Sequence, residues 1–315
     1  MRKEAYFALI GVLLIWIQFG CRPNQFSSTG IDRETSSVSD EVAPADRTIL
    51  MGSFNIQTLG VAKLAKTDVM EVLTDIVRRF DLIAIQELRA KEQHVIPEWL
   101  EMLNSNGMNY RAEVSERIGK NGYYEQFVYI YDANKLQVTR DSFVAPDNQI
   151  MHRSLYVTSF RCTEPSSNNP FTFTLFNVHV DPDEVATEVP ALSGIVQNVV
   201  RQMPEEDDFI VLGDFNEHAS GLAEWPMLTR QFAVVPDALA TNTAGTKSID
   251  NIVFNYDSTL EYRGNGGVLD IMAEYGLNQQ QAALVSDHMP VWAEFSVYET
   301  VRPAVASPAR SGVRR

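Results

Sequence analysis

The chain has 315 residues, 45% of them hydrophobic and 21% charged, with a formal net charge of −15. Such a composition suits one globular domain of roughly 250 residues with a large core, and excludes a disordered or fibrous chain. So acidic a protein is no bulk-charge scaffold for nucleic acid. If it meets a polyanion, it must gather its Arg and Lys, or bound cations, at one face.

Arg2 and Lys3 precede an apolar run over residues 5–19, and Gly20-Cys21 follows. A basic start, a hydrophobic run and a small residue before the cysteine form an export signal over residues 1–20. The Gly-Cys pair resembles a bacterial lipoprotein cleavage site, with Cys21 as the lipidated N-terminus. The expected location is the cell envelope, with a lipid bilayer as partner through this anchor. Plain secretion, to the periplasm or beyond, and an uncleaved membrane anchor are the alternatives. About 15 apolar residues fall short of the ~20 that span a bilayer. Residues 21–47 are polar beyond the cysteine and read as a flexible tether. With Cys21 used or removed, Cys162 is a lone thiol and is expected to be structural.

The folded domain is expected over residues 48–298. A first strand over 48–54 ends in Asn55, and apolar residues at helical spacing predict a helix over 68–80. A buried strand over 82–85 ends in Gln86-Glu87. Pro97 suits the first turn of a short helix carrying Trp99, Leu100 and Leu103. Strands are predicted over 110–114 and 126–131, with 119–122 as the loop between them, and again over 136–140 and 155–160. The β-prone stretch 171–178 ends at His179. A helix candidate over 185–203 contains Pro190, which calls for a kink or a later start. Residues 209–212 form a buried strand that turns through Gly213 into Asp214, Asn216, Glu217 and His218. Further strands fall at 249–254 and at 291–295, the latter directly after Ser286-Asp287-His288. The order of elements suggests layered α/β packing with chemistry at strand ends. Residues 299–315 hold two Pro and four Arg without an apolar face, and read as a disordered basic tail.

Polar residues that end or flank strands recur at Asn55, Glu87, Glu125, His179, Asp214, Asn216, Asp250 and Asp287-His288. One such residue is an ordinary turn former; a set of them points to a site. Carboxylates and amide oxygens are hard ligands suited to Mg²⁺, with Mn²⁺ as a substitute. Zinc is disfavoured, because the histidines are scattered and sulfur ligands are missing. Two histidines in a carboxylate-rich site fit phosphodiester hydrolysis, one taking a proton from water and the other serving the leaving oxygen. Glu125 and Asp250 are available to orient their rings.

The ordered segments GSFNIQTLG, VRRFDLIAIQELR, GKNGYYEQFVYIYDANKLQV, NVHVDP, VLGDFN, SIDNIVF and VSDHMPV resemble the motifs of the endonuclease/exonuclease/phosphatase superfamily, and their flanks resemble pancreatic-type deoxyribonucleases. The resemblance implies a DNase I-like α+β fold: a four-layer α/β/β/α sandwich with two central, mostly antiparallel sheets. By the same resemblance Asn55, Glu87 and Asp287 serve the metal, while Asp214 and Asn216 serve phosphate, water and a second cation. His288 with Asp250 resembles the base-side pair, and His179 with Glu125 the acid-side pair. Arg89 resembles an arginine that enters the DNA minor groove, Tyr123 a tyrosine against the sugar, and Arg153 a phosphate-contacting arginine. The family's disulfides are missing. Thr241 and Thr243 only partly echo its calcium loop, with Leu239 where an acidic ligand is expected, which argues against structural calcium there. Asn251 replaces an arginine.

These features predict an Mg²⁺-dependent endonuclease that cuts double-stranded DNA with little sequence preference, leaves 5′-phosphates and acts as a monomer. A phosphatase or phosphodiesterase for small or lipid phosphoesters is the alternative on the same core. A catalytically silent surface binding module is the non-enzyme reading, and its mark would be loss of a site histidine or carboxylate.

Overall fold

The computed structural model describes residues 47–163, 169–222 and 231–300. The export signal, Cys21, most of the tether and residues 301–315 of the tail lie outside the described residues. Among the described residues the first half of the chain runs β1 (Thr48–Leu59), α1 (Val61–Leu64), α2 (Thr67–Val77), β2 (Leu82–Leu88), α3 (Val95–Asn104), β3 (Tyr110–Val114), β4 (Ile118–Lys120), β5 (Tyr123–Asp132), β6 (Leu136–Val138) and β7 (Phe143–Val144). The second half runs β8 (Tyr156–Cys162), β9 (Thr172–His179), α4 (Val185–Val200), β10 (Phe209–Asp214), α5 (Ala219–Leu222), β11 (Gln231–Ala233), β12 (Asp250–Asn255), β13 (Tyr262–Val268), α6 (Ile271–Tyr275), α7 (Gln279–Val285) and β14 (Val291–Ser296).

The strands form two seven-stranded sheets. The first has the order β13-β14-β1-β2-β5-β3, with β4 on β5; the second has β11-β12-β10-β9-β8-β6, with β7 on β8. Each is antiparallel apart from one parallel pair, β1 with β2 and β10 with β9. Side chains alternate across a strand, and that period builds the layers. On β5, Phe127, Tyr129 and Tyr131 point into the core between the sheets, while Val128 and Ile130 pack outward with α2 and α3. On β10, Ile210 and Leu212 point inward and Val211 outward, toward α4. The expected four-layer α/β/β/α sandwich is therefore present.

Strand direction decides what collects at each edge. The parallel strands β1, β2, β9 and β10 end at one edge, where the antiparallel strands β5, β12 and β14 begin. Asn55, Glu87, His179 and Asp214 thus meet Glu125, Asp250 and His288.

Several elements differ from the sequence expectations. Residues 119–122 do not form a simple loop: β4 and β5 make a tight hairpin through Asn121 and Gly122, whose φ values of 55° and 88° suit the primed turn that Asn-Gly favours. Helix α4 starts at Val185, as the 185–203 candidate has it, and does not need the later start that Pro190 allowed: buried Glu188 in its first turn accepts hydrogen bonds from the backbone N–H groups of His152 and Asp181. Strand β13 was not expected, as its sequence YRGNGGV lacks an apolar alternation. Helices α6 and α7 were also missed, although Asp270 and the Asn278–Gln281 capping box mark their starts. Cys162 is buried and free, and burial pushes its thiol up to about 12, which suits a structural role.

Candidate active site

Asp214 is the hub. It ends β10 and is 1% exposed. Its Oδ2 accepts a hydrogen bond from Asn55 Nδ2 at 3.0 Å, and its Oδ1 accepts one from the Asn216 backbone N–H at 2.9 Å. The Nε2 atoms of His179 and His288 each lie 3.6 Å from the same Oδ2. Gly213 makes this approach feasible: at φ 149°, a Cβ there would sit 1.9 Å from the Val178 carbonyl oxygen on β9.

Each ring is oriented from behind. His179 Nδ1 is 2.8 Å from Glu125 Oε1, and His288 Nδ1 is 2.9 Å from Asp250 Oδ2. In the neutral rings each Nδ1–H donates to its carboxylate, leaving Nε2 directed at Asp214. Thr241 completes one side by donating from Oγ1 to Asp250 Oδ2 at 2.6 Å, and its oxygen accepts the backbone N–H groups of Ile249 and Asp250. That threonine therefore supports the base-side carboxylate.

Burial disfavours charged rings, but the facing carboxylates outweigh it. Asp250, Asp214 and Asp287 push His288 up to about 10, and Glu125 and Asp214 push His179 upward. Burial raises Glu125, yet His179, Arg153 and Arg89 bring its carboxyl below the ordinary range. For Asp250, burial and the Asp214 charge outweigh the pull of His288 and raise it. His288 is thus held charged at neutral pH, and His179 is pushed toward its charged form.

On the other flank, Glu87 adopts φ 66°, a left-handed conformation costly for a non-glycine residue. Its Oε2 accepts the Thr58 N–H at 2.7 Å and its Oε1 meets Arg89 at 3.1 Å. Gln57 and Thr58 are also left-handed where the pairing of β1 with β2 shifts register, so both strands bulge at the rim. Buried Lys63 binds this rim together. Its Nζ donates to the carbonyls of Ile56, Gln57 and Val285 at 2.5, 2.6 and 2.9 Å, and both Glu87 and Asp287 bear on its charge. Ser286 links the same parts, donating to the Asn55 carbonyl at 2.7 Å and accepting the His288 N–H at 3.0 Å. Sequence reading missed Lys63 and Ser286; only the position of Ser286 beside Asp287-His288 pointed to one of them.

The remaining expected residues divide by exposure. The Asp287 side chain is half exposed with Oδ1 3.8 Å from His288 Nε2, and Asn216 donates from Nδ2 to the Val180 carbonyl at 2.9 Å. Arg89 stands at the mouth, about one-third exposed, 4.0 Å from Glu125 Oε2, and Tyr123 is 66% exposed. Arg153 is buried instead: its Nε donates to the His179 carbonyl at 3.2 Å, and its Nη2 makes no hydrogen bond but lies 3.8 Å from Asp181 Oδ2. Glu217 and His218 at the end of the β10 turn do not join the cluster.

Ligand atoms of Asp214, Asp250 and His288 lie within 4.8 Å of one another, an acidic and histidine cluster that can hold a metal ion. Both Asp250 oxygens already face His288, so the carboxylates left for a cation are Asp214 and, next to His288, Asp287, with Glu87 at the rim where β2 ends. These hard oxygens fit a magnesium-type ion that keeps part of its water.

The family model described as "Endonuclease/Exonuclease/phosphatase family" matches residues 52–288. The chain belongs to this family. It is 27% identical to deoxyribonuclease-1 of Bos taurus over 258 residues, covering 76% of this chain and 90% of that protein. It is 30% identical to deoxyribonuclease-1-like 1 of Mus musculus over 253 residues, covering 78% and 79%. Among solved structures, a family protein from Leptotrichia buccalis superposes with a TM-score of 0.57 at 16% identity, covering 78% of this chain and 99% of that one. A mannosyl-6-phosphatase from Bacteroides thetaiotaomicron superposes with a TM-score of 0.53 at 13% identity, covering 78% and 98%. At such identities the structures speak for the fold alone. Family membership and the cluster around Asp214 together support a metal-dependent hydrolase of phosphoester bonds.

Proposed function

We propose that the chain is an Mg²⁺-dependent endonuclease that hydrolyses double-stranded DNA with little sequence preference and leaves 5′-phosphate ends. The observation that carries this reading is the pair of histidines facing one carboxylate, each braced by its own acid: His179 by Glu125 and His288 by Asp250. Such a pair supplies a base on one side of a phosphodiester and an acid on the other. His288 Nε2 takes the proton of the attacking water, Asp250 holding the ring and its positive charge. His179 Nε2 holds a proton for the leaving 3′-oxygen, and Glu125, with Asp214 in front, keeps that ring charged against the opposing charge of Arg153. Asn55, through its bond to Asp214, and Asn216 fix the carboxylate between them. A divalent cation held by Glu87, Asp287 and Asp214 would offset charge on the phosphoryl oxygens and lower the His288 pKa toward neutrality.

Arg89 and Tyr123 at the open mouth favour a polymeric substrate over a small one, and the two deoxyribonuclease relatives favour DNA. The export signal read at residues 1–20 favours action in the cell envelope or outside it, as a monomer tethered through Cys21. The test is cleavage of supercoiled plasmid by the purified chain with Mg²⁺, with and without chelator, beside a phosphomonoester and a phospholipid. Chelator-sensitive nicking is the expected result. Turnover of the monoester or lipid with an intact plasmid would reject the nuclease reading. Arg89→Ala should lower plasmid cleavage more than hydrolysis of a small phosphodiester, and equal losses would remove the groove contact.

A further inference from the structure

At the opposite edge of the sandwich lies a second group of buried carboxylates that the active site does not use. Asp208 immediately precedes β10, six residues and about 20 Å of extended chain from Asp214. It is 0% exposed, and neither of its carboxylate oxygens has a hydrogen-bond partner. Glu261, 1% exposed, precedes β13; its Oε1 accepts the Thr300 N–H at 2.5 Å, while its Oε2 has no partner. Glu299, just beyond β14, accepts the Thr172 N–H at 3.2 Å with one oxygen. Carboxylate oxygens of the three lie within 4.8 Å of one another. Strand direction explains the meeting, since β10 and β13 begin at the edge where β14 ends.

Two observations separate this group from an ordinary acidic patch. The Thr259 hydroxyl, 2% exposed, lies near enough to Asp208 to pull its carboxyl down. Three buried carboxylate oxygens have no hydrogen-bond partner: two of Asp208 and one of Glu261. In addition, the ion pairs of Arg79, Arg89, Lys135 and Arg153 all lie elsewhere, at Glu274, Glu87, Glu125, Asp81 and Asp181. Buried carboxylates need a partner or a counter-ion.

We propose that Asp208, Glu261, Glu299 and the Thr259 hydroxyl form a second divalent-cation site, suited to calcium, that clasps the start of β10 to the β12–β13 connection and the chain end after β14. Calcium–oxygen bonds of about 2.3–2.6 Å place ligands on opposite sides of the ion about 4.6–5.2 Å apart, which the spacing meets. Calcium also accepts irregular sets of carboxylates and hydroxyls. Magnesium demands a near-octahedral shell and keeps waters, for which a buried three-carboxylate position is poorly suited. The site is independent of the catalytic reading.

The test is calcium titration of the chelator-stripped full chain by isothermal calorimetry, paired with thermal melting. One calcium site is expected, retained in Glu87→Gln and lost in Asp208→Asn. Calcium at about 100 times its dissociation constant should raise the wild-type melting temperature by roughly 5–10 °C and leave Asp208→Asn unmoved. In chelator, Asp208→Asn should melt no lower than wild type, because the amide removes one of three like charges; this also shows that the variant folds. Magnesium alone should shift melting far less. Calcium stoichiometry unchanged by Asp208→Asn would overturn the proposal. So would wild-type melting indifferent to calcium.

Discussion

The two edges of the sandwich hold buried carboxylates in opposite ways. At the active-site edge Glu125 meets His179, Asp250 meets His288 and Thr241, Asp214 meets Asn55, and Glu87 meets Thr58 and Arg89. At the far edge Asp208 has no partner, and burial with Glu261 and Glu299 beside it drives its carboxyl well above the ordinary range. The same side chain is thus a working group where the fold supplies donors and an unsatisfied acceptor where it does not. Both arrangements arise from strand polarity, since residues brought together at one end of β10 are necessarily far from those at the other.

The largest effect should come from removing a partnered ring. His288→Ala and His179→Ala should each lower turnover on plasmid by ~10²–10⁴-fold, the usual contribution of a positioned acid or base. The melting temperature should change little, because each ring sits at the end of a strand rather than in the apolar core. The double variant should be only slightly worse than the poorer single one, since both rings act on one transition state. Near-wild-type turnover by folded His288→Ala would require a base other than this ring.

Next in size is the metal flank. Glu87→Gln keeps the shape but removes the charge, and should raise the Mg²⁺ needed for half-maximal activity by roughly tenfold or more. An unchanged metal titration would show that the strained conformation of Glu87 serves Thr58 and Arg89 alone.

The active-site edge was largely legible in the sequence because its polar residues follow strongly apolar strands, as Asp214 follows FIVLG and His179 follows TFTLFNV. Glu125 was the least distinct, since a single acid inside YYEQFVYIYD says nothing about which way it points; the period of β5 buries it. Lys63 carried no signal, because a lysine in VAKL reads as solvent-facing until the carbonyls of two separate segments converge on it. The far edge was illegible for the same reason. Asp208, Glu261 and Glu299 stand in polar connections, and only the pairing of β13 with β14 makes them neighbours. The glycines that hid β13 from a periodicity reading therefore hid the second acidic group as well.

A smaller effect tests the brace behind the base. Asp250 is the leading influence that raises His288 against burial, so Asp250→Asn should lower the pKa of the ring. The acid limb of the pH–rate profile, which reports deprotonation of the base, should then move to lower pH by about one unit, with a reduced maximum. An unmoved limb would assign the pKa of the ring to Asp214 and the bound cation instead.

The smallest expected effect is on stability, and it reads the two edges separately. Burial and neighbouring charge raise Glu299 to about 7 and Asp208 further, while the facing carboxylates raise His288 to about 10. In each case the folded chain binds protons more tightly than the unfolded one. Stability is therefore present below the unfolded pKa and is lost as pH rises through the folded value. For the far edge the loss begins near pH 4, the unfolded carboxylate value; for His288 it begins only near 6.5. Between about pH 4.5 and 6.5 the histidines are charged in both states, and the far-edge acids set the difference between wild type and Asp208→Asn. In chelator, that variant should gain on wild type by about a few degrees of melting temperature across this interval. Saturating calcium should reverse the order, because the ion holds the wild-type acids ionised at every pH in the range. Parallel melting curves for the two proteins in chelator would mean that Asp208 keeps an ordinary carboxyl, and that the contrast between the edges lies in geometry alone.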